Sequence, residues 1–339
     1  MMTTAIVVTS INAPNAALRA LADGAAAHTF EFIVCGDTKS PRDFSLPGCR
    51  YLSVEDQVAT GLRFAEICPI RTYARKNIGY LVAINNGADL IVETDDDNLP
   101  RPGFFDSRHR AHDVKSVVGG GWLNVYRYFS DVNIWPRGLP LDMVQRAVPE
   151  FDRLTTHPVD CPIQQGLADE NPDVDAIYRL ILPLPQNFRR DRRVALGNGT
   201  WCPFNSQNTS WWSDAFPLLY LPVHCSFRMT DIWRGFVAQR IAWENNWHIL
   251  FHEPTMWQER NEHNLMRDFA DEVPGYLHND RIRRALEETS LAGGIGNLGR
   301  DLRKCYDTLI SLEVVGADEG ALLDAWIADL QRVTESRRA

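Results

Sequence analysis

The stretch Leu90-Ile91-Val92-Glu93-Thr94-Asp95-Asp96-Asp97-Asn98-Leu99-Pro100 constrains this chain more than any other. An apolar run of strand length ends in three consecutive aspartates, and Pro100 then stops the element. Carboxylates at the C-terminal end of a buried strand lie where an open α/β sheet keeps its ligand crevice. Three adjacent anions repel one another, so a cation is expected to share the site. Mg2+ and Mn2+ take oxygen ligands, often one or two carboxylates together with substrate phosphates. The functional reading is a divalent metal that holds a diphosphate. The plainer alternative is a solvated acidic turn.

The flanking pattern places that strand in a parallel sheet. Thr4 to Ser10 is short, β-branched and almost continuously apolar, as buried parallel strands are. A turn over Asn12 to Asn15 leads into an Ala/Leu-rich helix over Ala16 to Ala27. Phe30 to Cys35 reads as a second strand and Tyr51 to Ser53 as a third. Pro69 to Asn86 reads as a helix with Ala74, Ile78, Leu81, Val82 and Ile84 on its apolar face, stopped by Gly87. Strand and helix alternate over ~95 residues, which predicts a Rossmann-like sheet.

Composition narrows the class. With 339 residues, 45% hydrophobic and 23% charged, the chain can bury a real core. A formal charge of −9 speaks against nucleic acid or an anionic membrane as the main partner. The seven cysteines are scattered and include no Cys-x-x-Cys pair, so neither a disulfide framework nor a zinc site is expected. The N-terminus lacks the basic and then apolar pattern of a signal peptide. No apolar stretch approaches the ~20 residues that span a bilayer. A soluble, cytoplasmic protein is expected.

Two signals near the sheet point to a ligand, one to an anion and one to a nucleoside. Arg75 and Lys76 fall in the first turns of their helix, where cations oppose the helix dipole unless an anion sits there. Asp37, just past the second strand, could accept hydrogen bonds from a base or ribose, or be a simple turn aspartate.

Residues 118 to 275 differ in character, being rich in Trp, Asn, Gln and Arg and often interrupted by Pro and Gly. Rings beside amides and guanidinium groups suit sugars, although any one aromatic can be core filler. Asp231 precedes an expected helix over Ile232 to Trp243. It is read either as an N-cap or as a general base for an acceptor hydroxyl, with Asp169, Asp173 and Asp175 as rivals. His263 is a candidate metal ligand from late in the chain, and His252 a weaker one. Beyond Tyr276, amphipathic helices are expected over Asp280 to Leu291, Arg300 to Val314 and Gly320 to Val333. Gly294-Ile295-Gly296-Asn297-Leu298-Gly299 has the form of a dinucleotide fingerprint but follows a helix instead of a strand, so it reads as a linker.

Several of these segments together resemble a known family. Tyr73 to Tyr80, Glu93 to Asn98, Trp135 to Gly138, Pro162 to Asp169, Asp173 to Leu180 and Asp231 to Gly235 are similar to STELLO-type glycosyltransferase-like proteins. Gly36 to Lys39 and His263-Asn264 join them, and the likeness covers roughly residues 4 to 276. A more distant likeness is to the reversibly glycosylated polypeptides, which are UDP-arabinopyranose mutases. The resemblance implies an α/β, GT-A-like fold: a Rossmann-type nucleotide-binding sheet (1 to 117) continuous with an acceptor-binding half (118 to 276), followed by a C-terminal helical segment (277 to 339). STELLO proteins carry a membrane anchor and act beside cellulose synthase, a partner and compartment not carried over here.

The resemblance implies a glycosyltransferase that uses a nucleotide-sugar, with UDP preferred, and Mn2+ or Mg2+ on Asp95, Asp97 and His263. Ser10, Asn12, Asp37, Lys39, Arg75, Lys76, Asp95 and Asp96 are expected on the nucleotide-sugar side. Trp122, Asn124, Arg137, Gln165, Arg179 and Arg234 are expected around a glycan or polysaccharide-precursor acceptor, with Asp231 as base if the reaction inverts. A homodimer through the C-terminal helices is a further expectation. The alternatives are a nucleotide-sugar mutase and a non-catalytic scaffold for polysaccharide assembly.

Overall fold

The computed structural model describes residues 2–259 and 264–338. Its first third is the expected alternation. Strand β1 (Thr4–Thr9), helix α1 (Ala16–His28), β2 (Glu31–Cys35), β3 (Arg50–Leu52), the short helices α2 (Val54–Ala59) and α3 (Arg63–Ile67), α4 (Lys76–Asn85) and β4 (Leu90–Thr94) follow in order. The four strands are parallel in the order β3-β2-β1-β4. Both faces of β1 are covered. Ile6 and Val8 share one apolar cluster with Leu18, Leu21 and Ala25 of α1, while Ala5 and Val7 share another with Ile78 and Leu81 of α4. Gly79 lets α4 lie close, since a Cβ there would fall 2.7 Å from both Val7 Cγ1 and Cys35 Sγ.

The sheet continues through β5 (Asn98–Pro100), β6 (Ala111–Val117) and, beyond a small two-stranded pairing partner β7 (Gly121–Trp122), the 14-residue β8 (Thr156–Asp169). Helix α5 (Ala176–Ile181), β9 (Arg193–Leu196), β10 (Thr200–Trp201) and β11 (Asn208–Trp212) come next. Then follow α6 (Thr230–Glu244) and β12 (Trp247–Gln258). β11 runs antiparallel between β4 and β8 and so joins the two halves into one ten-stranded mixed sheet. β12 lies parallel to β8 and antiparallel to β5, which brings Gln258 opposite Asn98.

Helices α7 (Leu265–Glu288), α8 (Leu298–Ser311) and α9 (Glu319–Arg338) complete the chain. They share the principal core: Ile282, Leu286, Leu302 and Trp326 belong to the same apolar cluster as Ile78 and Trp201. Trp326 meets Phe64 edge to face, and Asp329 Oδ2 accepts the Phe64 backbone N–H at 2.7 Å. Residue 276 lies inside α7. Among the described residues no helix is long and apolar enough to cross a membrane.

Three boundaries differ from expectation. The helix expected from Pro69 starts later, as a 3-10 turn over Tyr73–Arg75 capped by Thr72 Oγ1, because Arg71 adopts a left-handed φ of 61°. The helix expected from Asp280 starts at Leu265, where the Asn264 side chain caps the Arg267 N–H, and it absorbs Pro274. Helix α6 starts at Thr230, so Asp231 sits in its first turn and is not its N-cap.

Candidate functional site

The order β3-β2-β1-β4 means the chain leaves β1 toward one edge and returns on its other side at β4. That reversal opens a crevice beyond the C-terminal ends of these two strands. Ser10 follows β1 and the three aspartates follow β4. Ser10 Oγ donates to Asp96 Oδ2 at 2.5 Å and Asn12 Nδ2 to the same oxygen at 2.9 Å, while Asn15 Nδ2 donates to the Asp96 carbonyl. These bonds stitch the two strand ends together. The crevice is a cleft of about 610 Å3, lined by six aspartates and seven basic side chains, a size that suits a small organic ligand.

The acidic floor is unevenly satisfied. Asp95 Oδ1 accepts from Tyr73 Oη at 2.6 Å and from the buried ammonium of Lys76 at 3.2 Å. Burial nonetheless raises its pKa against the pull of Lys76. Asp97 Oδ2 accepts from Gln258 Nε2 at 3.0 Å, a partner delivered by the β12–β5 pairing, whereas its Oδ1 is buried and has no hydrogen-bond partner among the described residues. Burial and the neighbouring Asp95 push its pKa up to about 7. A buried orphaned carboxylate oxygen beside a second carboxylate fits a hard divalent cation. Among the described residues no three His, Cys, Asp or Glu side chains converge on such an ion. Two protein carboxylates plus ligand phosphates and water is therefore the donor set these residues could offer.

The expected phosphate contacts are redistributed. Lys76 is fully buried and spends its three N–H groups on Tyr73 Oη, the Thr94 carbonyl and Asp95, so it serves as an internal counter-ion and does not reach a phosphate. Arg75 is buried too, donating to Gln57 Oε1 and to the Cys68 and Pro69 carbonyls, with only Nη2 left unpartnered at the cleft wall. Asp37 lines the cleft, but its carboxylate accepts the backbone N–H groups of Thr38, Arg71 and Thr72 and anchors that loop. Lys39 and Arg71 supply exposed cations on this side. Nothing in the sequence pattern marked Arg71.

The opposite wall is a closed ion-pair network. Arg137 donates through Nε and Nη2 to Asp173, both at 2.8 Å, and through Nη1 and Nη2 to Asp231 at 3.1 and 2.8 Å. It also donates to the Arg228 carbonyl, and Arg228 is itself paired with buried Glu272 of α7. Burial opposes ionisation of Asp231, but the Arg137 guanidinium wins and holds its carboxyl below the ordinary range. Asp231 also receives its own helix's Ile232 N–H and, weakly, Ser206. A carboxylate so occupied is poorly disposed to take a proton, which counts against the general-base reading.

Of the expected acceptor residues, Arg137 and Arg179 line the cleft and four others do not. Trp122 is buried against Trp201 and Phe236, with its indole N–H on Asp280. Asn124 holds the Ile134 carbonyl, and Gln165 bonds the 166 and 208 carbonyls and the Asn205 N–H. Arg234 is buried in an ion pair with Glu93 at 2.8 Å, its guanidinium over Trp211. Among the rival acids, Asp169 is locked to Arg190 and Asp175 caps α5, while Asp173 lines the cleft. His252 is not part of the cleft lining and bonds the Glu253 carbonyl. His263 lies outside the described residues. Sequence reasoning missed Tyr73, Ser206, Gln258 and the exposed Phe227, which meets Tyr73 edge to face.

Residues 228–336 match the family model described as STELLO glycosyltransferases. The chain is 29% identical over 334 residues to the probable glycosyltransferase STELLO2 of Arabidopsis thaliana, covering 90% of this chain and 42% of that protein. It is 28% identical over 338 residues to the probable glycosyltransferase STELLO1 of the same plant, covering 89% and 41%. The chain thus spans under half the length of the curated relatives it matches. Among solved structures, a mycobacterial protein is similar at a TM-score of 0.39 and 14% identity, over 91% of this chain and 74% of that one. The likeness read from the motifs is shown by the family match and these two relatives.

Proposed function

We propose, taking the likeness to STELLO glycosyltransferases as premise, that this chain is a metal-dependent glycosyltransferase moving a sugar from a nucleotide donor, UDP foremost, to a glycan hydroxyl. The observation that carries the reading is the buried Oδ1 of Asp97, unpartnered among the described residues, beside Asp95 at the switch point of the sheet. An orphaned buried oxygen costs stability unless a ligand completes it. Asp95 and Asp97 would hold Mn2+ or Mg2+, which when bound neutralises charge on the leaving diphosphate. Lys39 and Arg71 would meet the phosphates from the rim. Asp96, pinned by Ser10 and Asn12, would orient the ribose or donor sugar. The acceptor would lie against the wall of Asp173, Arg137 and Arg179.

The test is a thermal-shift panel of UDP, CMP, GDP and their sugar conjugates, with and without Mn2+, on wild type and Asp97→Asn. A ligand at 100 times its Kd adds about 2.7 kcal/mol. Stabilisation by one nucleotide that needs both metal and Asp97 is the expected result. A panel with no shift for any nucleotide sinks the reading.

A further inference from the structure

Two hydroxyls bridge the two walls of the cleft. Tyr73 Oη lies 2.6 Å from Asp95 Oδ1 and 2.6 Å from Ser206 Oγ, and Ser206 Oγ lies 3.4 Å from Asp231 Oδ2. The series Asp95, Tyr73, Ser206, Asp231 therefore has three gaps. As carboxylates the two ends can only accept, so the hydroxyls must fill three gaps with two protons. The Tyr73–Ser206 gap is too short to be left without one, because two oxygens facing lone pair to lone pair at 2.6 Å repel. One proton is thus committed to the middle, and only one end can be served.

The distances say which. Tyr73 is close to Asp95 while Ser206 stands at the far limit from Asp231, so in the ligand-free protein Tyr73 donates to Asp95 and Ser206 donates to Tyr73. Lys76 Nζ, at 2.7 Å, donates to Tyr73 Oη and cannot supply the missing proton to Asp231. Tyr73 follows Thr72 at the mouth of α4, and Ser206 precedes β11, so the bridge links the two halves of the sheet at the site itself.

We propose that Tyr73 and Ser206 form a hydroxyl relay that gives a hydrogen bond to Asp95 or to Asp231 but never to both, coupling the donor side of the cleft to its acceptor side. The proposal rests on the donor-site reading above. With a cation on Asp95, that carboxylate needs the phenol less; Tyr73 turns its proton to Ser206, and Ser206 turns its own to Asp231. Both are positioning residues, and no bond to substrate is assigned to either. Loading the donor side thereby re-dresses Asp231, and the acceptor wall changes only when the donor is in place.

Calorimetric titration of UDP with Mn2+ into wild type, Ser206→Ala, Asp231→Asn and the double variant tests the coupling. Ser206 does not line the cleft, yet its loss removes the alternative home for the Tyr73 proton. Each single variant is expected to bind about fivefold more weakly, and the double variant no more weakly than either. Single variants equal to wild type, or losses that multiply, overturn the relay. A second measurement needs no ligand: urea unfolding of Tyr73→Phe, Ser206→Ala and both together. The double variant should lose less than the two losses added, whereas strict additivity overturns the relay. Wild type that takes up no UDP would defeat the donor-site reading instead, and the unfolding cycle would then decide the relay alone.

Discussion

The two walls of the cleft carry the same residue types and treat them in opposite ways. On the Arg137 wall the carboxylates are answered from within: Arg137 alone makes four hydrogen bonds to Asp173 and Asp231. On the wall of the three aspartates Asp95 is half answered by Lys76 and Tyr73, and Asp97 keeps an oxygen with no partner among the described residues. A self-completed ion-pair network is shape, held by its own charges. An incomplete one is a demand, and it can be met only from outside. The difference teaches where to look for a ligand better than counting charged residues does, since both walls are rich in them.

The sharpest way to break this contrast is Asp97→Asn. Turnover and metal-dependent nucleotide binding should fall by about 100-fold or more, while urea unfolding of the ligand-free protein shows no loss of stability, because the orphaned anion is gone. Unimpaired activity would place the metal elsewhere. Arg137→Ala should do the reverse. It strands the buried Asp231 and strips the half-buried Asp173 of its cation, at a cost of about 3–5 kcal/mol in urea unfolding, and Arg137→Lys should recover little because a lysine cannot fork to two partners.

A titration separates the walls more gently. Burial and Asp95 raise Asp97 to about 7 from an ordinary 3.8, so the folded ligand-free protein keeps a proton that the unfolded chain releases. Stability through this group therefore falls as pH rises from about 4 to 7. Metal binding needs the carboxylate and should strengthen over the same window. The rise in Tm produced by Mn2+ with UDP is expected to be larger at pH 8 than at pH 6, and Asp97→Asn should flatten that difference. The smallest effect is expected from Trp122→Phe, which removes the indole bond to Asp280. About 1 kcal/mol of stability should go, with no change in KM for the acceptor; a raised KM would restore Trp122 to the site.

The aspartate wall was legible because its signals are local. A continuous apolar strand, three aspartates and a proline stand in one stretch, and the alternation around them fixes a parallel sheet. The Arg137 wall was not, because Arg137, Asp173 and Asp231 come from three distant segments, and a buried arginine looks the same in sequence whether it meets a sugar or an aspartate. One misreading did have a signal. Glu93 interrupts an otherwise apolar strand, and a buried carboxylate there requires a cationic partner, which is Arg234. Arg75 and Lys76 are cations in a place where the helix dipole is unfavourable. The compensating partners lie within the chain: for Lys76 the Asp95 carboxylate, and for Arg75 neutral groups, Gln57 and two carbonyls.

The packing of α9 against α3 and α4 has a consequence for the newly made chain. The helix that carries Lys76 is covered by residues made some 250 positions later, and the Phe64 amide waits for Asp329 across a separation of 265 residues. Domains that fold as they emerge from the ribosome do so from the N-terminus. Here the N-terminal half can gather early, yet its outer layer stays bare until α9 arrives. A stop codon anywhere before α9 would leave Phe64 and Tyr220 without the Trp326 ring that covers them, and that exposed patch is what a chaperone or protease would see.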